Sequence, residues 1–402
     1  MKDQVPQNIQ EMLPQLTHWR RHLHAHPELG YEEFETQAFI IRELEAMGLN
    51  PYEVGDTGVA VDIGKDGPRI LARADIDALP IDEETLVDYR SQNSGAMHAC
   101  GHDGHVAMML GVASILPGLL AHSGGRARLI FQPAEEKHPG GAYKMIRDGV
   151  LEGVTRVTGL HLQAELPSGR IGARMGVQSA NSDRFRILID GRGGHGSAPH
   201  HTRDPIPVAG QLIGAMQTLV SRMVNPTDAA VVTISAIQSG SAFNAIPSAA
   251  ELRGTVRTFD QSVRDTIEDR MQKMVTAIAE ASETHGTLDY MRGYPSVVNT
   301  EQEWRLFREV VGEFAGPDCW IDIEERMGGE DFAYYLQERP GVFWNLGAQV
   351  SDHPYPHHHG QFTFDEAVIN RLVLWRETER TVSTDLTPWS GLCCDIASAP
   401  PY

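Results

Sequence analysis

Cysteine, histidine and acidic residues are concentrated in the segment MHACGHDGHVAMM, residues 97–109. Cys100 and His102 lie two residues apart, just before a predicted apolar helix from Val106 to Leu116. On an irregular loop, a thiolate and an imidazole at this spacing can converge on one site, whereas within a regular helix they would point apart. A single histidine is usually structural, but the whole cluster favours metal binding.

Two adjacent carboxylates, Glu135 and Glu136, follow a predicted strand that ends at Phe131. On a loop, neighbouring side chains can face different directions, so the pair can divide two tasks. Glu136 would bind a cation, and Glu135, without a metal bond, would take a proton from a metal-bound water. In isolation such a pair is more often a solvated acidic turn. The nearby metal-ligand cluster favours the functional interpretation.

Two later histidine motifs complete the candidate set. His161 closes the apolar run VTGLHL, and a histidine triplet occupies residues 357–359. A histidine at the end of a buried strand lies at the carboxyl edge of the sheet, where open α/β folds bind ligands. Each of these motifs alone is a weak signal.

Asp75 and Asp77 come at the end of another predicted strand, in LARADIDALP. Strand-end turn chemistry explains such residues about as well as function does. We favour a supporting role, in which a carboxylate accepts the free imidazole N–H of a metal-bound histidine and fixes its tautomer.

Composition excludes several classes of protein. The formal net charge of −20 argues against nucleic-acid and anionic-membrane partners, which bind basic patches. The four cysteines are scattered or vicinal, a poor disulfide framework. No charge-free apolar run of membrane-spanning length is evident, and the polar N-terminal segment lacks the apolar core of a signal peptide. We therefore expect a cytoplasmic protein that acts on a small molecule.

The length of 402 residues predicts two domains. Strands alternate with helices in residues 1–180 and again in 295–380, which predicts one α/β catalytic domain with a mostly parallel central sheet flanked by helices. Residues 181–294 follow the order βαββα and are predicted to form an inserted α+β sandwich. The tail, 381–402, gains Ser, Thr and Pro and is predicted to be poorly ordered.

Beyond single motifs, the chain resembles the dinuclear metallopeptidase-type amidohydrolases, which include hippurate hydrolase, N-acyl-amino-acid amidohydrolases and indole-acetyl-amino-acid hydrolases. The resemblance extends from about residue 20 to 370, with the motifs in the family's order. They are RRHLHAHPELGYEE, ADIDALP, MHACGHDGH, QPAEE, GLHL, GGHGSAPH, FNAIPSAAELRGTVRTF, MGGEDFAYY and HHHGQFTFDEA.

The resemblance implies a site with two divalent cations per subunit, which are zinc, manganese, cobalt or nickel. The implied metal ligands are Cys100, His102, Glu136, His161 and His358. Glu135 is the implied base. Of the two aspartates favoured above for a supporting role, we predict that Asp77 takes part in catalysis. His358 is selected from the triplet by its spacing to Phe362, Phe364 and Asp365, although Gly360 stands where the family usually has proline.

The resemblance also implies that the inserted domain forms a dimer, or a tetramer built from dimers. His195 would then lie near the partner subunit's active site and hydrogen-bond the substrate carbonyl as charge develops on it. Asn244 would contact the substrate from the same domain.

The expected reaction is hydrolysis of the amide bond of an N-acyl amino acid, such as a hippurate-like, aromatic or aliphatic conjugate. Three alternatives remain at this stage. They are a dipeptidase, a deacetylase of the N-acetyl-diaminopimelate type, and a non-catalytic metal-binding scaffold.

Overall fold

The computed structural model describes residues 4–123, 125–350 and 355–369. The helices are α1 Gln4–Ala25, α2 Phe34–Ala46, α3 His102–Ser123, α4 Gly141–Arg147, α5 Pro205–Thr218, α6 Gln261–Ala281, α7 Glu301–Phe314 and α8 Ala333–Glu338. The strands are β1 Tyr52–Val54, β2 Gly58–Gly64, β3 Arg69–Asp75, β4 Arg126–Gln132, β5 Val154–Gln163, β6 Ile171–Gly172, β7 Gly176–Val177, β8 Asn181–Asp190, β9 Gly194–His195, β10 Ala230–Ser239, β11 Ala245–Ile246, β12 Ala249–Thr258, β13 His285–Tyr294, β14 Val298–Asn299, β15 Trp320–Ile321 and β16 Gly341–Gly347. The predicted tail, 381–402, lies outside the described residues.

The first of two compact units comprises the described residues within 1–173, 300–323 and 335–402. Its sheet has the strand order β1-β2-β4-β3-β5-β16-β6-β15. The pairs β3–β4, β3–β5, β5–β16 and β6–β15 are parallel, and the other three pairs are antiparallel. The inner strands β3, β4 and β16 are almost wholly buried, as is typical of parallel strands covered on both faces. The predicted α/β class with a mostly parallel sheet is confirmed.

Helix α3 lies in the core of this unit. Its residues from His102 to Ala113 are all buried, and from Val106 to Ala113 they are apolar on every side of the helix. The stretch His102–Ala121 is long and apolar enough to cross a membrane, so the expectation that no such run exists was wrong. Most of it is buried within the protein, as the core helix of a soluble protein also is.

The second compact unit comprises residues 174–299 and 324–334. Its main sheet is antiparallel, with the order β10-β12-β8-β13. Helices α5 and α6 pack on it through apolar residues such as Leu212 and Met271, both fully buried. Asp204 and Asp260 cap the two helices by accepting hydrogen bonds from backbone N–H groups of the first turn. The result is a two-layer α+β sandwich.

The order βαββα predicted for this region lacks one strand of the main sheet and the two short strands β9 and β11. The structure adds β13, His285–Tyr294, which pairs with β8 at the edge of the sheet. Most of its residues are exposed or half-buried, and Gly286 and Gly293 interrupt it. An edge strand with few buried apolar residues gives a weak sequence signal.

Candidate metal centre

The candidate ligands lie at the carboxyl ends of three parallel strands in the first unit. β3 ends at Asp75, β4 ends at Gln132 just before Glu135 and Glu136, and β5 ends two residues after His161. Because β3 pairs in parallel with both β4 and β5, these ends meet at one edge of the sheet. This edge is where open α/β folds bind their ligands.

Cys100 and His102 reach the same edge from the start of α3. Gly101 between them has φ +93°, a backbone conformation that favours glycine and turns the chain into the helix. The Cys100 Sγ lies 3.3 Å from the His161 Nε2. His102 donates its Nδ1–H to the backbone carbonyl of Asp77 at 2.8 Å, which leaves the Nε2 lone pair for a metal ion.

Three overlapping groups of potential ligand atoms contain the predicted ligands and the predicted base. Within each group, one atom per residue lies within 4.8 Å of the others. The groups are Cys100, His102 and His161; Cys100, Glu136 and His358; and His102, Glu135 and Glu136. Two ligands of one zinc ion lie at most about 4 to 4.6 Å apart, because the bonds measure about 2.0 to 2.3 Å. Each pair of these groups has one residue in common, which is Cys100, His102 or Glu136. Overlapping groups of this kind suit two neighbouring cations.

The histidine triplet separates into three different environments. His358 Nε2 lies 2.9 Å from Glu136 Oε1, beside the cluster. By contrast, His357 Nε2 accepts the N–H of Ala164, and His359 Nδ1 accepts the N–H of Gln361. His358 has φ +65°, which is unusual for a residue other than glycine, and its N–H bonds the carbonyl of Ala99 at 2.8 Å. The backbone therefore turns this member of the triplet towards Glu136.

Gly360 departs from the family's usual proline, and the structure gives a reason for glycine here. A Cβ atom at this position would lie 2.8 Å from the carbonyl oxygen of Asp82. The N–H of Glu84 donates to the Gly360 carbonyl at 2.7 Å. The loop containing Asp82 and Glu84 thus packs directly against the turn that carries His358, where a side chain would not fit.

Asp77 connects two of the candidate ligands. Its Oδ2 accepts the backbone N–H of Glu136 at 2.9 Å, and its Oδ1 lies 3.3 Å from His102 Nδ1. Its backbone carbonyl, rather than its carboxylate, accepts the His102 hydrogen bond. These contacts are those expected of a residue that orients ligands, although its role in the reaction stays a prediction.

The charges at the site are those that a cation would balance. Burial and the negative Glu136 and Glu135 raise the pKa of the Cys100 thiol well above its usual value. Burial lowers the pKa of His102, but Asp75 and Asp77 raise it more, to about 10. The cluster therefore concentrates negative charge in a buried place, which favours divalent cations.

One buried atom supports this fit. His102 Nε2 has no hydrogen-bond partner among the residues that the structure describes. Buried polar atoms are nearly always paired, so unpaired ones require an explanation. A thiolate, imidazole nitrogens and a carboxylate are donors that zinc, cobalt, nickel and manganese accept. The residues present therefore fit the implied metal ions.

His195 and Asn244 belong to the second unit, where they lie on neighbouring segments. His195 is opposite Ala245 in the β9–β11 pair, and Gly196 donates its N–H to the carbonyl of Asn244 at 2.8 Å. The backbone N–H of Ser197 donates to His195 Nδ1 at 3.1 Å. In the neutral ring the proton is then on Nε2, which makes this exposed side chain a hydrogen-bond donor. The roles of both residues stay predictions.

Sequence reasoning gave no role to several buried polar residues around the site. His105 uses both nitrogens, with Nδ1 2.5 Å from Asp75 Oδ1 and Nε2 accepting the N–H of Leu162 at 2.8 Å. Arg73, fully buried, donates to Asp75 Oδ2 at 2.6 Å. His105 is therefore a support rather than a ligand. An arginine within an otherwise apolar strand was the available signal for a buried ion pair.

A mostly parallel sheet with metal donors at its edge, beside a second buried glutamate, is the arrangement of a metal-dependent hydrolase. Residues 71–378 match the family described as Peptidase family M20/M25/M40. The chain belongs to this family, and it is a metal-dependent amidohydrolase. The resemblance inferred from the motifs is confirmed.

Three similar proteins illustrate the family. The N-acetyl-L-cysteine deacetylase of Bacillus subtilis (strain 168) is 42% identical over 367 residues, covering 90% of this chain and 87% of that protein. An IAA-amino acid hydrolase of Arabidopsis thaliana is 39% identical over 356 residues, covering 86% and 80%. The crystal structure of a dinuclear metal-binding peptidase of the M20 family from Bacillus subtilis matches with a TM-score of 0.81 and 36% identity, covering 93% of this chain and 99% of that chain.

Proposed function

We propose that this enzyme hydrolyses the amide bond of N-acyl amino acids and releases a carboxylic acid and a free amino acid. The similar proteins named for N-acetylcysteine and for indole-acetyl-amino-acid substrates support this class, because both substrates are amides of an acyl group with an amino acid. The observation that carries the proposal is the position of Glu135, which is buried within the same cluster as His102 and Glu136.

In this proposal, two divalent cations are held by five side chains, those of Cys100, His102, Glu136, His161 and His358. When bound, the cations acidify water and polarise the amide carbonyl. Glu135 removes a proton from the attacking water and delivers it to the nitrogen of the leaving amine. Asp77 keeps His102 in the tautomer whose Nε2 faces the cluster.

We also propose that His195 acts across a dimer. Its Nε2–H would donate to the substrate carbonyl oxygen as negative charge develops there, at the active site of the partner subunit. The hydrogen bond from Ser197 supports this role, because it keeps the proton on the outward nitrogen. Asn244, on the adjacent segment, would contact the same substrate.

A comparison of matched substrates tests the proposed substrate class. The enzyme is stripped of metal, reconstituted separately with zinc, manganese, cobalt and nickel, and assayed on one amino acid carrying an acetyl, benzoyl or indole-acetyl group. A dipeptide with a free amino terminus is the fourth substrate. We expect at least one N-acyl amino acid to give the highest kcat/KM. A higher value for the dipeptide would contradict the proposal, and the Glu135→Gln variant, purified in the same way, controls for contaminating amidases.

A further inference from the structure

The segment Gly30–Glu33 lies directly behind the turn that carries Glu135 and Glu136. It belongs to the motif HPELGYEE, to which the proposed reaction gives no role. A Cβ atom on Gly30 would lie 3.1 Å from both Ala134 Cα and Lys137 Cβ, so an alanine here would push the turn away by a few tenths of an ångström. The Lys137 ammonium also donates to the Gly30 carbonyl at 3.2 Å.

Glu33 makes the most specific contact with this turn. Its side chain is fully buried, and its Oε1 accepts the backbone N–H of Ala134 at 2.8 Å. Its Oε2 accepts the hydroxyl of Thr57 at 2.5 Å. A buried carboxylate with both oxygens bonded is held in one orientation.

Ala134 needs such support because its backbone is in an uncommon conformation. Its φ is +51°, in the left-handed region that residues with a Cβ seldom adopt. This conformation persists only where surrounding contacts fix it. The next residue is Glu135, so the torsion at Ala134 sets the direction in which the base and its neighbour leave the turn.

We propose that Glu33 is a positioning residue for the reaction, in that its hydrogen bond to Ala134 fixes the turn from which Glu135 and Glu136 face the metal centre. The inference rests on the proposed roles of those two glutamates. Glu33 acts through the backbone and touches neither substrate nor metal. Gly30 supports the other side of the turn by close packing.

The hydrogen bonds rather than the negative charge account for this role. Burial and the nearby Asp77 raise the pKa of Glu33 to about 7, against the effect of its hydrogen bonds, so a neutral side chain of the same shape is tolerated. In Glu33→Gln, the amide oxygen can accept from Ala134, and the amide nitrogen can donate to Thr57. Glu33→Leu has a similar volume and can make neither bond.

The test compares these two variants as purified, metal-loaded enzymes. For Glu33→Leu we expect kcat to fall by about tenfold or more with KM nearly unchanged, because misplacing a catalytic group by about 1 Å is costly. For Glu33→Gln we expect kcat near that of the wild type. Metal content and melting temperature are measured for each variant. An unchanged kcat in folded Glu33→Leu would overturn the inference, as would an equal loss of kcat in Glu33→Gln.

Three further variants separate positioning from general stability. Glu303→Leu removes another buried glutamate, which accepts from Arg156 near the opposite end of β5 from His161, and it should lower the melting temperature without lowering kcat. Thr57→Val removes only the second bond of Glu33 and should change kcat less than about threefold. Gly30→Ala displaces the same turn without altering Glu33 and should lower kcat. If Glu33→Leu does not fold, an unchanged kcat in Gly30→Ala overturns the inference.

The inference and the proposed function can fail separately. Wild-type activity in Glu135→Ala would remove the proposed base and the inference with it. Loss of activity in Glu135→Ala, together with full activity in folded Glu33→Leu, would leave the proposed function intact and refute only the role of Glu33.

Discussion

Glu135 and Glu136 are consecutive in the chain, yet they are proposed to do different work. Glu136 faces His358 at 2.9 Å, and its backbone N–H is bonded by Asp77. Glu135 is buried in a group with His102 and Glu136, without belonging to either of the two groups that contain Cys100. The division of labour therefore depends on one turn, at which each carboxylate takes its own direction.

Replacing the proposed base should separate chemistry from binding. We expect Glu135→Ala to retain its metals and to lose about two or more decades in kcat with a much smaller change in KM, because a general base acts on the way to the transition state. Steady-state kinetics and elemental analysis of the purified variant measure both. Glu309→Ala, at an exposed position on α7, is the matched control and should behave like the wild type. Activity near wild type in Glu135→Ala would refute the assignment.

The thiol of Cys100 gives a second test at the residue scale. With Cys319, Cys393 and Cys394 changed to serine, Cys100 is the remaining cysteine of the four. We expect a thiol-specific oxidant to release metal from this triple variant and to abolish turnover, because an oxidised sulfur is a poor ligand. Cys100→Ser in the same background should bind metal weakly before any oxidant is added. Unchanged metal content and turnover after oxidation would exclude Cys100 as a ligand.

At the scale of elements, the turn between β4 and α4 carries the proposed base and the proposed ligand next to it within a very confined space. A Cβ atom on Gly141, the first residue of α4, would lie 1.9 Å from the carbonyl oxygen of Pro133. Glycine is required here by the close approach of two backbone segments. The geometry of Glu135 and Glu136 therefore depends on the residue that starts the following helix.

Replacing glycine by alanine should have opposite effects on stability at two positions, 141 and 312. Gly141→Ala forces the backbone of the turn apart, so we expect lower stability and a large loss of kcat. Gly312→Ala, in α7, places its Cβ more than 4 Å from every described atom outside the adjoining turns of its own helix. It should stabilise the enzyme by up to about 1 kcal/mol because alanine favours helix. Thermal unfolding and kcat of both variants test this. Equal behaviour of the two variants would contradict the requirement for glycine at 141.

At the scale of the whole molecule, the proposed dimer makes a quantitative prediction. If His195 serves the partner subunit's site, a mixed dimer of Glu135→Ala and His195→Ala chains contains one site that has both groups. Mixing the two inactive variants after dissociation should therefore restore about a quarter of wild-type activity, for random pairing into twofold dimers. Sedimentation of the mixture verifies that dimers have formed.

Two outcomes would contradict the dimer. A mixture that stays inactive although mixed dimers form would show that His195 does not act across the interface. A fully active monomer would remove the need for a partner. Neither outcome would affect the proposed roles of Glu135 and Glu136, which lie in one compact unit of one chain.

The sequence alone was sufficient to predict the α/β class and the family, because both depend on local patterns. Alternating strands and helices predict a parallel sheet, and Cys100 with His102 forms a cluster that few structural segments contain. Because the sequence analysis relied on local patterns, it did not predict strand β13. An edge strand with few buried residues acquires its structure from its pairing with β8, and its own composition hardly predicts it.

The tertiary structure decided what depends on contacts between distant segments. Sequence spacing selected His358 through the resemblance, whereas the structure gives a physical reason. One ring nitrogen of His357 and one of His359 each accept a backbone N–H, and His358 faces Glu136. The link from Glu33 to the turn at Ala134 joins residues about a hundred positions apart. Such contacts depend on how strands pair and on how loops pack against the strand ends. Local sequence patterns do not predict either.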